Sequence, residues 1–188
     1  MHMQTTTPAK LTYRDFVRFP DDGKRHELID GVHYVTPSPF MPHQNVLGNL
    51  HFLIRSHLEE HRAGRVFLAP FDVIFSFFDI VEPDLLFISN ERMAILTRKH
   101  VRGAPDLVVE IGSKSTRRRD EGVKLELYER GDVLEYWVVD PDEETIRVYR
   151  RKEGRLARAG ELAREHHEAL TTPLLPGLSL PLHRVFAE

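Results

Sequence analysis

The run Pro105-Asp106-Leu107-Val108-Val109-Glu110-Ile111 constrains this chain more than any other stretch. It is apolar on both alternating faces, as a strand covered on both sides must be, so it predicts the middle of a sheet. It also carries Glu110 near its end. A desolvated carboxylate without a partner is costly, so Glu110 needs a cation or a donor nearby. A second Pro-Asp pair, Pro83-Asp84, opens the apolar run Leu85-Leu86-Phe87-Ile88, and Lys124 follows on the next helical pattern. Asp84 begins its strand and Glu110 ends its own. Only an antiparallel pairing of the two would bring these carboxylates together.

The rest of the pattern builds a sheet around that run. Asp30-Gly31 between His26–Ile29 and Val32–Val35 is a strong hairpin signal. From about His43 to Arg62 the residues Val46, Leu47, Leu50, Leu53, Ile54 and Leu58 recur at helical spacing. Further strands are expected at 65–68, 73–77, 134–139 and 145–150. A helix over 116–130 would cross between the two central strands. Residues 173–178 read as extended chain along the edge. The expectation is an α/β fold, with a mixed central sheet flanked by helices, in a single domain over 11–188. Residues 1–10 read as a flexible polar tail without the apolar core of a signal peptide.

Composition narrows the function. The 188 residues carry a formal net charge of -3, so only a local cationic patch would favour phosphate. Arg117, Arg118 and Arg119 supply one, unless they are simply a solvated helical turn. No cysteine is present, which removes disulfides and thiolate metal sites and agrees with a cytoplasmic protein. No segment approaches the roughly 20 apolar residues of a membrane helix. Glycines are scattered singly, which sets aside a phosphate-cradling loop. His57 and His61, one helical turn apart, read as a solvated face.

The chemistry suggested is metal-assisted phosphodiester hydrolysis. Mg²⁺ and Mn²⁺ prefer oxygen ligands, and Asp84, Glu110 and the Ile111 carbonyl offer three. Such a metal activates a bound water and neutralises charge developing on phosphorus. Asp120, Lys124, Leu127 and Tyr128 share one helix face. Leu127 and Tyr128 belong in the core, so Lys124 leans inward, to hold the nucleophile or stabilise that charge. The bland alternative is a lysine whose stem snorkels along the sheet edge.

These residues resemble a family. The ordered set His26-Glu27-Leu28-Ile29-Asp30-Gly31, His43-Gln44, Glu82-Pro83-Asp84, Pro105 to Ile111, Ser113 to Thr116, Arg119-Asp120, Lys124-Leu125 with Tyr128, and Glu135 to Asp140 is similar to the Uma2 family, from about Tyr13 to Phe186. That resemblance implies the PD-(D/E)XK nuclease fold and a metal-dependent endonuclease acting on nucleic acid, with DNA favoured. Asp84 and Glu110 match the two acidic positions. The superfamily's lysine stands two residues after the glutamate, where this chain has Gly112. The resemblance moves that role to Lys124. It also implies that Glu27 completes the metal shell and that His43 lies near the site. Lys114 stands where the family commonly has proline, adding a positive charge, and Arg117 joins it as an accessory candidate. A homodimer is expected, since two sites related by a two-fold axis cut both strands most simply. The alternatives are a catalytically idle binding or scaffold protein and a hydrolase of another phosphodiester.

Overall fold

The computed structural model describes residues 9–36, 38–112 and 116–188. Most of the expected tail and the whole of Ser113-Lys114-Ser115 therefore lie outside the described residues. After α1 (Tyr13–Phe16) come β1 (Arg25–Ile29) and β2 (Val32–Thr36), then the long α2 (Met41–His61). Next are β3 (Gly64–Leu68), β4 (Val73–Ser76), β5 (Asp79–Val81) and β6 (Leu85–Ser89), and a 3₁₀ turn over Asn90–Ile95. Then come β7 (Val101–Arg102) and β8 (Leu107–Ile111). A helix follows in three segments: α3 (Arg117–Arg119), a π-helical turn (Asp120–Lys124) and α4 (Leu125–Arg130). The chain ends with β9 (Glu135–Asp140), β10 (Thr145–Lys152), β11 (Arg155–Ala163), β12 (Ala169–Leu170), β13 (Leu180–Pro181) and α5 (Leu182–Val185).

The main sheet has the order β11-β10-β9-β8-β6-β3, so β8 is central, as its two-sided apolar pattern requires. β8 and β9 run parallel, with the helix over 117–130 as their crossover. β6 runs antiparallel to β8, with Leu85 opposite Val109 and Leu86 opposite Val108. One step further along this register sets Asp84 opposite Glu110.

The two faces of this sheet are packed differently. Leu107, Val109 and Ile111 meet Val46, Leu47, Leu50 and Ile54 of α2, together with Leu175 and Leu178 of the C-terminal segment. Val108, Leu86 and Tyr136 meet Leu127 and Tyr128 of α4, and Ile29, Val73 and Val81 of a second sheet. That second sheet has the order β2-β1-β5-β4-β7. It holds β1 over the start of β6 and the end of β8. At the tip of its hairpin, Asp30 (φ 52°) and Gly31 (φ 73°) form the primed turn that the Asp-Gly pair predicts. Asp79 fixes this tip to the crossover helix. It accepts from the Asp30 amide at 2.9 Å, from Ser76 at 2.7 Å and from Arg130 at 2.5 Å.

Two expectations need correction. Residues 173–178 turn rather than extend, because Leu175 and Leu178 reach into the core. The crossover helix is not uniformly α-helical. A π-helical turn, of the kind often found at functional sites, buries both Asp120 and Lys124.

Candidate active site

A cavity of about 220 Å³ opens where β6, β8, the start of α2 and the crossover helix meet. Arg25, His43, Asp84, Glu110, Ile111, Asp120 and Lys124 are among its lining residues. Each reaches it for a local reason. Asp84 sits just before β6 and Glu110 near the end of β8, joined by the antiparallel register. His43 is in the first turn of α2. Arg25 and Glu27 share one face of β1, by strand alternation. The π-helical turn delivers Asp120 and Lys124.

The polar contacts are dense. Asp84 Oδ1 accepts from Arg25 Nη1 at 2.6 Å, and Asp84 Oδ2 accepts from the Ile111 amide at 2.7 Å. His43 Nε2 lies 3.1 Å from Asp84 Oδ2. Lys124 Nζ donates to Glu110 Oε1 at 2.8 Å and to Glu27 Oε1 at 3.0 Å. Tyr128 donates its hydroxyl to Glu110 Oε1 at 2.5 Å. The Glu82 amide donates to Glu27 Oε1 at 3.1 Å. Lys124 is only 1% exposed, so it does not snorkel: its charge is buried among carboxylates.

Four buried carboxylates, Glu27, Asp84, Glu110 and Asp120, face the cations Arg25 and Lys124, with Arg119 3.8 Å from Asp120. The excess negative charge shows in the titration of the groups. Burial pushes Glu110 up to about 7, against the pull of Lys124 and with the help of Asp84 and Glu27. Burial likewise raises Asp120, opposed by Lys124 and the Thr116 hydroxyl. Burial alone would raise Asp84, but His43, Arg25 and the Ile111 amide hold it at about 2. Lys124 is pulled down by burial, yet Glu110 and Glu27 outweigh that and keep it an ammonium.

Would these residues suit a divalent cation? Glu27 Oε2 is buried and has no hydrogen-bond partner among the described residues. It is an acceptor without a donor, beside a carboxylate, Glu110, that burial has raised with the help of Asp84 and Glu27. A hard cation with oxygen ligands answers both defects. Among the described residues no three His, Asp or Glu side chains converge in a metal-holding group, and Lys124 and Arg25 bond to Glu110 and Asp84. The donor set fits, with the two cations as its competitors.

The accessory candidates separate. Arg117 does not line the cavity; it pairs with Asp140 and with Glu143, the latter at 2.6 Å. Its neighbours on the turn into β10 are acidic, so the guanidinium is drawn to them. Arg119 lines the cavity instead and donates to Thr36 Oγ1 at 3.0 Å, while Arg118 is exposed. Lys114 lies outside the described residues. The Pro105-Asp106 pair is at the other end of β8, where Asp106 accepts from the Ser89 amide at 2.7 Å and pairs with Arg92. His57 and His61 stack on each other, 4.0 Å between ring centroids, away from the cavity lining. Sequence reading passed over Arg25 and treated Tyr128 only as core. The strand alternation that joins Arg25 to Glu27 would have found the first.

The geometry can be set beside known proteins. A family model named Uma2 and described as "Putative restriction endonuclease" matches residues 13–183. The chain belongs to the Uma2 family. A solved structure described as "a putative nuclease belonging to DUF820 from Anabaena variabilis ATCC 29413" superposes with a TM-score of 0.78 at 21% identity. The match covers 94% of this chain and 98% of that one, and at this identity it establishes the fold. No curated protein matches the chain. For this Uma2 protein, the family points to a nuclease. No helix among the described residues is long and apolar enough to cross a membrane.

Proposed function

We propose that this Uma2 protein is a divalent-metal-dependent endonuclease that hydrolyses phosphodiester bonds in nucleic acid, with DNA the favoured substrate. The observation that carries the reading is the meeting of Asp84 and Glu110 across the β6–β8 register on one cavity, with Lys124 bonded both to Glu110 and to the buried Glu27, whose Oε2 has no partner among the described residues. Asp84, Glu110 and Glu27, with the Ile111 carbonyl, would hold Mg²⁺ or Mn²⁺. That ion, when bound, supplies an activated water and a Lewis acid for the phosphate. The chain's own groups do the rest. Lys124, released from Glu110, steadies the nucleophile or the charge growing on phosphorus. His43 and the Ile111 amide orient Asp84. Tyr128 holds Glu110 in place, and Arg119 faces the incoming phosphate.

Residues 11–188 act as one nuclease unit in this reading. The protein works as a homodimer in the cytoplasm, cutting one strand per protomer. One observation favours a rival. Lys124 already neutralises Glu27 and Glu110, as it would in a binding protein that keeps the fold without cutting. The test is cleavage of plasmid, single-stranded DNA and RNA with Mg²⁺ or Mn²⁺, with and without a chelator. Wild type should cut with metal only. Asp84→Asn and Glu110→Gln should each lose more than about a hundred-fold, since both remove charge that holds the metal. No cleavage of any substrate, with no Mn²⁺ binding by calorimetry, would leave the binding reading.

A further inference from the structure

One feature of the cavity exceeds what phosphate chemistry requires. Phe40 lines it and is 84% exposed, an aromatic ring left in water at the entrance to a charged site. Its place in the chain is the start of α2. It is the N-cap of α2 with extended backbone (φ -81°, ψ 168°), set between Pro39 and Pro42. Proline fixes its own φ and restricts the residue before it, so Ser38, Pro39, Met41 and Pro42 on either side of Phe40 have few backbone conformations. His43, three residues on in the first turn of α2, contacts Asp84 and lines the same cavity. Pro39, Pro42 and Pro141 extend the apolar lining. Thr36 and Arg119 add polar groups to the same wall.

We propose that Phe40 stacks on the base of an unpaired nucleotide next to the phosphate being cut, and so makes this protein prefer single-stranded or locally unpaired nucleic acid. The inference rests on the nuclease reading of the cavity. In a duplex each base face is covered by the base above or below it. A protein ring gains a stacking partner only from a strand that is single or from a base turned out of the stack. Stacking is tolerant of sequence because every base has a π-face. Phe40 therefore selects strand form and leaves base identity free, while Arg119 answers the backbone charge.

The experiment measures binding apart from cutting. Anisotropy titrations with Ca²⁺ compare a short labelled single strand with the duplex of the same sequence, for wild type, Phe40→Ala, Phe40→Trp and Asp84→Asn. Wild type should bind the single strand more tightly. Phe40→Ala should weaken single-strand binding about ten-fold or more and reduce that preference, and Phe40→Trp should retain it. A 2-aminopurine placed in the strand should be quenched by wild type and not by Phe40→Ala. Phe40→Ala binding both forms as wild type does, or losing both equally, overturns the proposal. So does a fall from dimer to monomer in Phe40→Ala by light scattering, which would assign the ring to a second copy of the chain. If Phe40→Ala binds normally while Asp84→Asn cannot cut, stacking fails and the nuclease reading stands. If wild type never cuts yet binds single strands through Phe40, stacking stands and the nuclease reading fails.

Discussion

Lys124→Met is the sharpest physical test of the charge balance in the cavity. Methionine nearly preserves the side-chain volume, so packing changes little. What is lost is the ammonium 2.8 Å from Glu110 and 3.0 Å from Glu27, in a side chain 2% exposed. Breaking a buried pair by removing one partner costs about 3–5 kcal/mol. Total stability in such domains is about 5–15 kcal/mol, so the variant should be markedly weaker but folded. The penalty should depend on pH, and its sign follows from Glu110. Its folded value is raised from 4.5 to about 7, so the folded state binds the extra proton between those values. Stability then falls as pH rises through that window, by about 1.4 kcal/mol per unit. Above about 7 the wild-type loss is complete. Lys124 is the strongest influence holding Glu110 down. Without it the folded value rises further, and the decline continues to higher pH. Urea unfolding of metal-free protein at about pH 6 and about pH 8.5 measures this. The gap between variant and wild type should widen at the higher pH, and Glu110→Gln in the variant background should close much of it. An equal gap at both pH values, or one below about 1 kcal/mol, would refute the view that Lys124 compensates these carboxylates.

Three further outcomes follow from neighbouring contacts. Tyr128→Phe removes the hydroxyl that donates to Glu110 at 2.5 Å. A hydrogen bond to a charged group is worth about 1.5–3 kcal/mol, so the acid limb of Mn²⁺ binding should move up by about one pH unit. Asp106→Asn keeps an acceptor for the Ser89 amide but loses the Arg92 pair. Stability should drop by about 1 kcal/mol with cleavage retained, the opposite of Asp84→Asn, as unfolding and cleavage assays would show. Gly112→Lys would place a Cβ 2.5 Å from Thr116 Oγ1 and 2.6 Å from Asp120 Oδ2. It should cost about 1–3 kcal/mol in urea unfolding and fail to rescue Lys124→Met in cleavage.

The same physics decides how far the sequence could be read. The hairpin was legible because Asp30-Gly31 has few other conformations to offer between two strands. The α2 face was legible because 21 residues repeat one period. β11 was not. It is an edge strand whose residues are mostly in water, and charged edge positions hide the alternation that marks a strand. β5 and β7, of three and two residues, carry too little pattern to show that a second sheet lies over the first. The site divides in the same way. Asp84 and Glu110 were visible as carboxylates attached to buried strands, but their meeting depended on strand direction, which periodicity does not fix. Lys124 was visible only through the company of Leu127 and Tyr128. The π-helical turn that places it is a departure from period and leaves no periodic mark. Gly112 then links the two levels. A side chain there would collide with Thr116 and Asp120 at the start of the crossover helix. With that position closed, the only buried lysine beside Glu110 among the described residues is the one the helix brings back over the sheet.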